Sequence, residues 1–573
     1  MNHCGGDILL ALFERYGIEY VFCSPGSEWV AVWEGLARCR QEGRTTVKYI
    51  NCRHESLAVT MAMGYAMVTG KVPAVLLHTG LGALNAAMPI RMAYNTHIPL
   101  MIFSAEDAAH GDDAGEIKGP GPHWVSQLSD FGGPAELVRR YVKWSNTVRS
   151  RMTMLDSFHR GYEIALSAPR GPVFLGVARD LLVKPMSPLP AGAGPVTGQD
   201  ASCTGTEPRD LAEAARLLVA SQEPVIITEY AGANPRAVDK LTELAETLSI
   251  PVFQSIYPSA CSFPREHPLF LGYNSAEALA EADTVLVAGS VTPWYPPTAF
   301  PQNGARVILL DEDTRHEQLP YWNYHVDIAL QSPLEQGLEA LTDAVREQLP
   351  GEKAAGGGIA ARRERWQRKH DELLARWEQE ALAGQKESPL SPRWFFRALQ
   401  GLMPADTLFL EESVTHSQLV QQNLASPGHY RRVHSGGLGT GFGMACGAKL
   451  ALPETPVVFF VGDGSFNYSP ALAGLGVCQE YHLPLFTVIA DNRCYQAMRH
   501  GIHSYFPEGC SVNQGKYYGV DIVPTPDYAA LAPAFEAHGE KVEKPEDIRP
   551  AVERAWQQVG RGKAVLLDAI LSA

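Results

Sequence analysis

The chain contains many short runs that are apolar at nearly every position. A strand with one face in water alternates apolar and polar residues, whereas a strand covered on both faces is apolar throughout. The runs therefore predict parallel sheets covered by helices, and the helix-like segments between them indicate an α/β protein. The predicted strands are Tyr20–Cys23, Val47–Ile50, Ala74–Leu77, Leu100–Phe103, Pro224–Thr228, Pro251–Phe253, Thr284–Ala288, Arg306–Leu310, Thr407–Leu410, Pro456–Val461, Pro484–Ala490 and Ala564–Ala569.

Two stretches rich in proline, glycine and small residues interrupt this pattern, at 183–207 and 348–361. Such composition is typical of exposed connections between domains. At roughly 150 residues per domain, a chain of 573 residues has room for three to four domains. We therefore predict three doubly wound parallel-sheet domains, at 1–183, 208–347 and 385–573.

Charge and cysteine content exclude several classes of protein. The chain has 48 Lys and Arg against 63 Asp and Glu, a formal net charge of −15. This balance argues against a nucleic-acid or anionic-membrane surface, because phosphate groups bind to clustered Lys and Arg. No apolar run approaches the ~20 residues that span a bilayer, and the N-terminus lacks the pattern of a signal peptide. Ten cysteines without a CxxC pair favour free thiols in a cytoplasmic protein.

Polar residues follow two successive predicted strands of the C-terminal domain. Val457–Val461 continues directly into the sequence GDGS at 462–465, and the next strand is followed by Asn492. Ligands of parallel sheets lie beyond the carboxyl ends of the strands, so Asp463 and Asn492 would face one crevice. Their oxygens and a nearby backbone carbonyl suit Mg²⁺, and the glycines let the backbone approach a phosphate closely.

A helix is predicted directly after this turn. Ser469 and Pro470 fit the N-cap and the first position of a helix that continues to Tyr481, and its N–H groups would favour a bound anion. A GDG sequence alone is often only a tight turn. Its place after an apolar strand, with Asn492 at the end of the next strand, makes the prediction of a site specific.

Three polar residues of the N-terminal domain also lie at predicted strand ends. They are Ser27, Glu55 and His78. Taken singly, each has an ordinary structural interpretation. Ser27 fits a turn hydroxyl or a helix cap, Glu55 fits an acid favoured at a helix N-terminus, and His78 fits a partly buried histidine. At one edge of a parallel sheet, the three would face the same crevice.

These segments together resemble the thiamine-diphosphate enzymes of the acetohydroxyacid synthase, benzoylformate decarboxylase and pyruvate decarboxylase superfamily. The resemblance covers nearly the whole chain. It is carried by GDGSFNYSPALAGLGVCQEYHLPLFTVIADN at 462–492, RHESLAVTMAMGYAMVTGK at 53–71, HTGLGALN at 78–85 with YNTHIPL at 94–100, EES at 411–413 and HSGGLGTG at 434–441. It implies a pyrimidine-binding, a central and a diphosphate-binding domain.

The resemblance also implies roles for individual residues. Asp463, Asn492 and the backbone oxygen of Cys494 would bind Mg²⁺. Glu55 would contact the pyrimidine of thiamine diphosphate, and His78 and Ser27 fall on the active-site histidine and serine of benzoylformate decarboxylase. One departure from the family is Asp491, which replaces the first Asn of an Asn pair. The expected cofactor-binding residues are Glu55, Gly437, Leu438, Gly462, Asp463, Gly464, Ser465 and Asn492.

The central domain differs from the FAD-binding members of the superfamily. At Glu229–Asn234 and Gly289–Tyr295, bulky residues replace their glycines, and their arginine is missing, so we expect no FAD. Trp294 and Tyr295 fit an active-site role and simple domain packing equally well. His110 lies among acids in a segment that fits a solvated loop better than a site.

The function that this resemblance implies is a lyase or transferase reaction on a 2-oxo acid. The expected activity is decarboxylation with carboligase capacity, through an enamine intermediate. The alternatives are an acetolactate-synthase-like carboligase lacking FAD, a C–C hydrolase on the same cofactor, and a non-catalytic subunit, which Glu55, Asp463 and Asn492 argue against. The family implies a homodimer or a dimer of dimers (a homotetramer). The 2-oxo acid and any aldehyde or ketone acceptor stay open.

Overall fold

The computed structural model describes residues 3–106, 132–187, 206–255, 258–296, 299–302, 304–316, 319, 324–349, 356–433 and 436–573. These residues form three sheets, and every pairing between the described strands is parallel. The three α/β domains predicted from the apolar runs are therefore confirmed. Their exact limits stay a prediction, because both predicted linkers lie partly outside the described residues.

The first and third sheets have six strands each, and the central sheet has five. Their orders are β2-β1-β3-β4-β6-β5, then β11-β10-β9-β7-β8, then β13-β12-β14-β15-β17-β16. The strands are β1 Tyr20–Cys23, β2 Lys48–Asn51, β3 Ala74–Leu77, β4 Met101–Glu106, β5 Trp144–Val148, β6 Val173–Ala178, β7 Pro224–Thr228, β8 Val252–Gln254, β9 Thr284–Ala288, β10 Arg306–Asp311, β11 Ile328–Gln331, β12 Leu408–Glu412, β13 Tyr430–Arg432, β14 Val457–Gly462, β15 Phe486–Asp491, β16 His538–Val542 and β17 Val565–Ile570.

Helices cover the sheets, and their apolar faces form the cores. They are α1 Gly5–Arg15, α2 Val30–Gln41, α3 Glu55–Thr69, α4 Thr79–Asn85, α5 Ala87–Asn95, α6 Pro134–Leu137, α7 Arg151–Leu166, α8 Arg179–Val183, α9 Pro208–Ala220, α10 Pro235–Leu248, α11 Ala276–Glu281, α12 Leu334–Gln348, α13 Gly356–Ala383, α14 Pro392–Leu399, α15 Ser417–Leu424, α16 Gly441–Ala451, α17 Asp463–Tyr468, α18 Ala471–Glu480, α19 Gln496–Tyr505, α20 Cys510–Gln514 and α21 Ile548–Gly560. Among the described residues, no helix has the length and hydropathy that a bilayer crossing needs.

All twelve predicted strands are present, within one to three residues at their ends. Five further strands are β5, β6, β11, β13 and β16. Four of these lie at the edges of their sheets, where one side of the strand has no neighbour. Edge strands carry more polar residues than central strands, so the search for continuous apolar runs missed these four. Strand β6 lies between β4 and β5 and is buried at every position, so its omission has no such reason.

The region after β14 corrects the prediction of one helix. The chain turns helical already at Asp463, so α17 occupies a stretch that was expected to be a turn. The helix predicted from Ser469 begins at Ala471, with Pro470 at the N-cap. Because α17 has just ended, the hydroxyl of Ser469 donates to the carbonyl of Ser465 at 3.3 Å and does not cap the next helix.

Helix α3 of the N-terminal domain packs against α16 of the C-terminal domain. All residues from Leu57 to Ala66 on α3 are buried, as expected for a helix that is apolar on every side. Glycines make the approach possible: a Cβ at Gly64 would overlap the carbonyl oxygen of Met444, and one at Gly447 would overlap that of Met61. The two domains thus share one core.

Candidate active site

Strand ends of the first sheet bring the three predicted residues of the N-terminal domain to one edge. Ser27 follows β1 and starts a short 3₁₀ turn, Glu55 follows β2 as the first residue of α3, and His78 follows β3 at the N-cap of α4. Strands β2, β1 and β3 are neighbours in that order, so the three residues lie side by side. Asn85 Nδ2 donates to Glu55 Oε2 at 3.1 Å.

His78 is paired with a buried carboxylate. Its Nδ1 lies 2.7 Å from Glu28 Oε1, and the side chain of Glu28 is 4% exposed while that of His78 is 31% exposed. The backbone N–H of Thr79 also donates to Glu28 Oε1, at 3.3 Å. Since a carboxylate only accepts, the contact places the imidazole proton on Nδ1 and orients Nε2 for proton transfer.

In the C-terminal domain, β14 and β15 are neighbours, with Gly462 opposite Ala490. Asp463 and Asn492 therefore follow adjacent strand ends, as predicted, and both are buried. Asn492 Oδ1 accepts from the backbone N–H of Cys494 at 3.2 Å. Arg493 between them has a φ of 60°, a left-handed conformation that is uncommon outside glycine.

The electrostatics of this pocket favour a cation. Burial, and then the neighbouring Asp491 carboxylate, raise the pKa of Asp463 to about 8. Burial, and then Asp491, also raise the pKa of Asp568 to about 7. Asp463 Oδ2 is buried without a hydrogen-bond partner. A buried carboxylate oxygen and an amide oxygen at the ends of adjacent strands fit a hard divalent cation such as Mg²⁺.

Acid, histidine and cysteine side chains alone do not complete this pocket. Within the described part of the chain, no three of them converge closely enough to hold a metal ion. A cation at Asp463 would thus also need the amide oxygen of Asn492 and oxygens from the backbone or a ligand. The predicted Mg²⁺ ligands, which are Asp463, Asn492 and the carbonyl of Cys494, meet this requirement.

The glycine segment before α16 lies next to this pocket. Gly439 has a φ of 85°, and a Cβ there would overlap the carbonyl of Tyr468, so this position requires glycine. Leu438 is half-buried. Gly437 contacts the side chain of Met88 from the N-terminal domain, which brings the two domains together at this segment. His434 and Ser435 lie outside the described residues.

Glu412 fixes the end of the same segment. Its carboxylate accepts from the N–H groups of Thr440 at 3.2 Å and Gly441 at 3.1 Å, which belong to the start of α16. Burial raises the pKa of Glu412 to about 7. The backbone that would contact a diphosphate is thus held by a side chain from β12.

The GDGS residues present backbone and small side chains to the pocket. No atom lies within 4 Å of a Cβ built on Gly462, whereas one on Gly464 would collide with the ring of Tyr495. Ser465 is 5% exposed. Gly462 therefore leaves open space beside Asp463, while Gly464 is needed for packing.

The central domain contributes a separate cavity of about 370 Å³ at the carboxyl ends of its strands. Glu229 lines it and accepts from Ser290 Oγ at 2.9 Å and from the Val291 N–H at 3.1 Å. Trp294 lines it too and packs edge-on against Tyr324, with ring centroids 5.0 Å apart. Tyr295 is exposed, and His110 lies outside the described residues.

Several residues at the strand ends of the N-terminal and C-terminal domains were not predicted from the sequence. Glu28 directly follows Ser27 at a predicted strand end, and a search for a carboxylate partner of His78 would have found it. Asp568 is an acid within an apolar strand, which is itself a signal. Nothing in the sequence indicates that Asn85 contacts Glu55.

Matches to family models cover all three domains. Residues 3–129 match the thiamine pyrophosphate enzyme N-terminal TPP binding domain, 211–341 match the central domain, and 414–569 match the C-terminal TPP binding domain. The chain belongs to the thiamine-diphosphate-dependent enzyme superfamily. It is accordingly an enzyme of the lyase and transferase type that depends on this cofactor.

Characterised members of the superfamily align with almost the full length of this thiamine-diphosphate enzyme. The benzoylformate decarboxylase of Pseudomonas aeruginosa is 27% identical over 562 residues, covering 95% of both chains. The large subunit of acetolactate synthase isozyme 3 from Escherichia coli is 25% identical over 590 residues, covering 98% of this chain and 94% of the relative. The structure of the 4-hydroxybenzoylformate decarboxylase of Rhodococcus jostii superimposes with a TM-score of 0.78 at 24% identity and 99% coverage of both chains, which supports the fold.

Proposed function

We propose that the enzyme is a 2-oxo acid decarboxylase with carboligase capacity that uses thiamine diphosphate and Mg²⁺. The pairing of His78 with the buried Glu28 carries this proposal, because a decarboxylase must deliver a proton after CO₂ leaves. The similarity to a benzoylformate decarboxylase supports it further.

When bound, thiamine diphosphate supplies the electron sink for cleavage next to the carbonyl of the 2-oxo acid. Glu55 would hydrogen-bond the pyrimidine end and exchange a proton there, held in place by Asn85. Asp463, Asn492 and the carbonyl of Cys494 would hold Mg²⁺ against the diphosphate. The backbone around Gly437 and Gly462–Ser465, together with Leu438, would line the rest of the cofactor.

His78 would move the proton at the substrate through Nε2, while Glu28 keeps the Nδ1 proton in place and stabilises the imidazolium. Ser27 lies at the same edge and would donate its hydroxyl to the carboxylate or carbonyl oxygen of the 2-oxo acid. In this proposal, Glu55, Asp463 and Asn492 bind the cofactor, whereas His78 and Ser27 act on the substrate.

Two alternatives use the same cofactor. An acetolactate-synthase-like carboligase without FAD is favoured by the similarity to the E. coli enzyme. A C–C hydrolase would need no loss of CO₂.

We also propose that the chain acts in the cytoplasm, since all nine cysteines of the described residues are free thiols.

We propose a homodimer, or a dimer of dimers, as the working assembly. Leu81 and Leu84 on α4 are large, apolar and exposed, as are Tyr505 and Phe506 at the end of α19. Exposed apolar groups near a site are typical of a surface that another subunit covers. Light scattering after gel filtration tests this, and a monomer that is fully active would contradict it.

Product identification tests the proposed activity. The purified enzyme is incubated with thiamine diphosphate, Mg²⁺ and aromatic or aliphatic 2-oxo acids, with and without an aldehyde acceptor. We expect CO₂ and a free aldehyde, and a chiral hydroxyketone once the acceptor is present. A hydroxyketone without any free aldehyde favours the carboligase, cleavage of a diketone without CO₂ favours the hydrolase, and no turnover of any substrate refutes all three.

A further inference from the structure

Three buried carboxylates lie near the carboxyl ends of the neighbouring strands β14, β15 and β17. Asp463 is 2% exposed, and Asp491 and Asp568 are each 0% exposed. Strand β15 pairs with β17 so that Ile489 lies opposite Asp568 and Asp491 lies opposite Ile570. Because side chains alternate along a strand, Asp491 and Asp568 project from the same face of the sheet.

Most oxygens of these carboxylates have no hydrogen-bond partner. Asp491 Oδ1 accepts from the N–H of Arg493 at 2.9 Å, but Asp491 Oδ2, Asp463 Oδ2 and both oxygens of Asp568 are buried and unpartnered. Gly462 on β14 lies opposite Ala490 on β15, so Asp463 and Asp491 come next to each other at the ends of two adjacent strands. Buried acidic oxygens without donors are stable only beside a positive charge or with a shared proton.

We propose that Asp491 supplies a second carboxylate to the cation site, so that the chain binds a divalent cation without any diphosphate. This inference rests on the proposed site at Asp463 and Asn492. A site with one carboxylate leaves a divalent cation with one uncompensated positive charge, which a diphosphate would neutralise. Two carboxylates neutralise the cation by themselves, and Asp491 Oδ2 reaches it directly or through one water molecule.

Asp568 lies behind this pair. Lys541 on β16 is opposite it in the sheet, but the side chain of Lys541 is 41% exposed and its ammonium lies 4.0 Å from the carboxylate of Glu543. It does not provide the missing hydrogen bonds, since both Asp568 oxygens stay unpartnered. A cation bound beside Asp491 would supply this positive charge, and Asp568 would add to the negative potential behind it.

Mn²⁺ binding to the cofactor-free protein tests the proposal, because the electron paramagnetic resonance signal of free Mn²⁺ falls on binding. We expect one Mn²⁺ per chain. Asp491→Asn, which keeps the shape of the side chain, should weaken binding at least tenfold, whereas Asp491→Glu should retain most of it. Asp547→Asn, an exposed acid before α21, is the matched control and should leave binding unchanged.

The variants distinguish the role of Asp491 from the existence of the cation site. Unchanged binding in Asp491→Asn, with binding lost in Asp463→Asn, overturns the role of Asp491 and keeps the cation site. Unchanged binding in Asp463→Asn overturns the site itself. Thermal melting checks the fold of each variant, and Asp491→Ser replaces Asp491→Asn if the latter does not fold.

Discussion

The contact between α3 and α16 can be tested by adding a single methyl group. Gly447→Ala places a Cβ against the carbonyl oxygen of Met61, well inside van der Waals distance. A backbone atom cannot rotate away as the tip of a flexible side chain does. The helices must therefore move apart, although α16 is anchored by Glu412 at its start and α3 is buried on all sides.

Two opposing contributions determine the size of the effect. Overpacking a tight core costs about 1–3 kcal/mol, and a collision with backbone belongs at the upper end of that range. Alanine gains about 1 kcal/mol over glycine inside a helix. The net destabilisation of Gly447→Ala is thus about 2 kcal/mol. At roughly 2–4 °C per kcal/mol for a domain of this size, the melting temperature should fall by about 4–8 °C.

Gly501→Ala is the matched control, because Gly501 also lies inside a helix, α19, and has no atom within 4 Å of a Cβ. It should raise stability by up to about 1 kcal/mol. Differential scanning calorimetry of both variants and the parent provides the comparison. If Gly447→Ala melts as high as Gly501→Ala, the close contact between the two helices is not present in solution.

Four further predictions concern the site. Glu55→Gln keeps the bond from Asn85 but should lower turnover about 10²–10⁴-fold by removing the acid; turnover at the parental rate would contradict this. Glu28→Gln should lower kcat at least tenfold, about 1.4 kcal/mol, with a smaller change in KM, whereas a purely structural role would change only stability. Burial raises the pKa of Glu412 to about 7, so the native state binds the proton of Glu412 more tightly than the unfolded state does. The free energy of unfolding should therefore fall as the pH rises from about 4.5 to 7. The fall should be at most about 1.4 kcal/mol per pH unit. The free energy of unfolding of Glu412→Gln, measured with urea, should not show this dependence on pH. If the parent and the variant show the same pH dependence, the raised pKa of Glu412 is ruled out. Chelation by EDTA should abolish activity and Mg²⁺ should restore it, whereas activity that survives full chelation would argue against the cation at Asp463.

Most central strands, and the places of the candidate residues at strand ends, could be predicted because their signals are local. An apolar run such as Val457–Val461 has the composition of a strand covered on both sides, and the residue that follows it lies at the ligand-binding edge whatever the rest of the fold. Asp463, Asn492, Glu55 and His78 were all found in this way.

The partners of these residues could not be predicted by the same means. Glu28 and His78 are 50 positions apart, and their contact depends on the neighbouring positions of β1 and β3. The burial of Asp491 and Asp568 likewise depends on the order of β15 and β17. Strand order is set by the packing of the whole domain, which no single segment of the sequence contains.

The burial of α3 also limits how the gene can be divided. A fragment ending near 183 would include every strand of the first sheet, and it would still leave exposed the side of Leu57–Ala66 that α16 covers in the intact chain. Such a fragment should precipitate on expression, and its solubility should recover when a separately produced 385–573 fragment is supplied in the same cell. Deletion libraries and fusion designs should therefore treat the first and third domains as one inseparable unit.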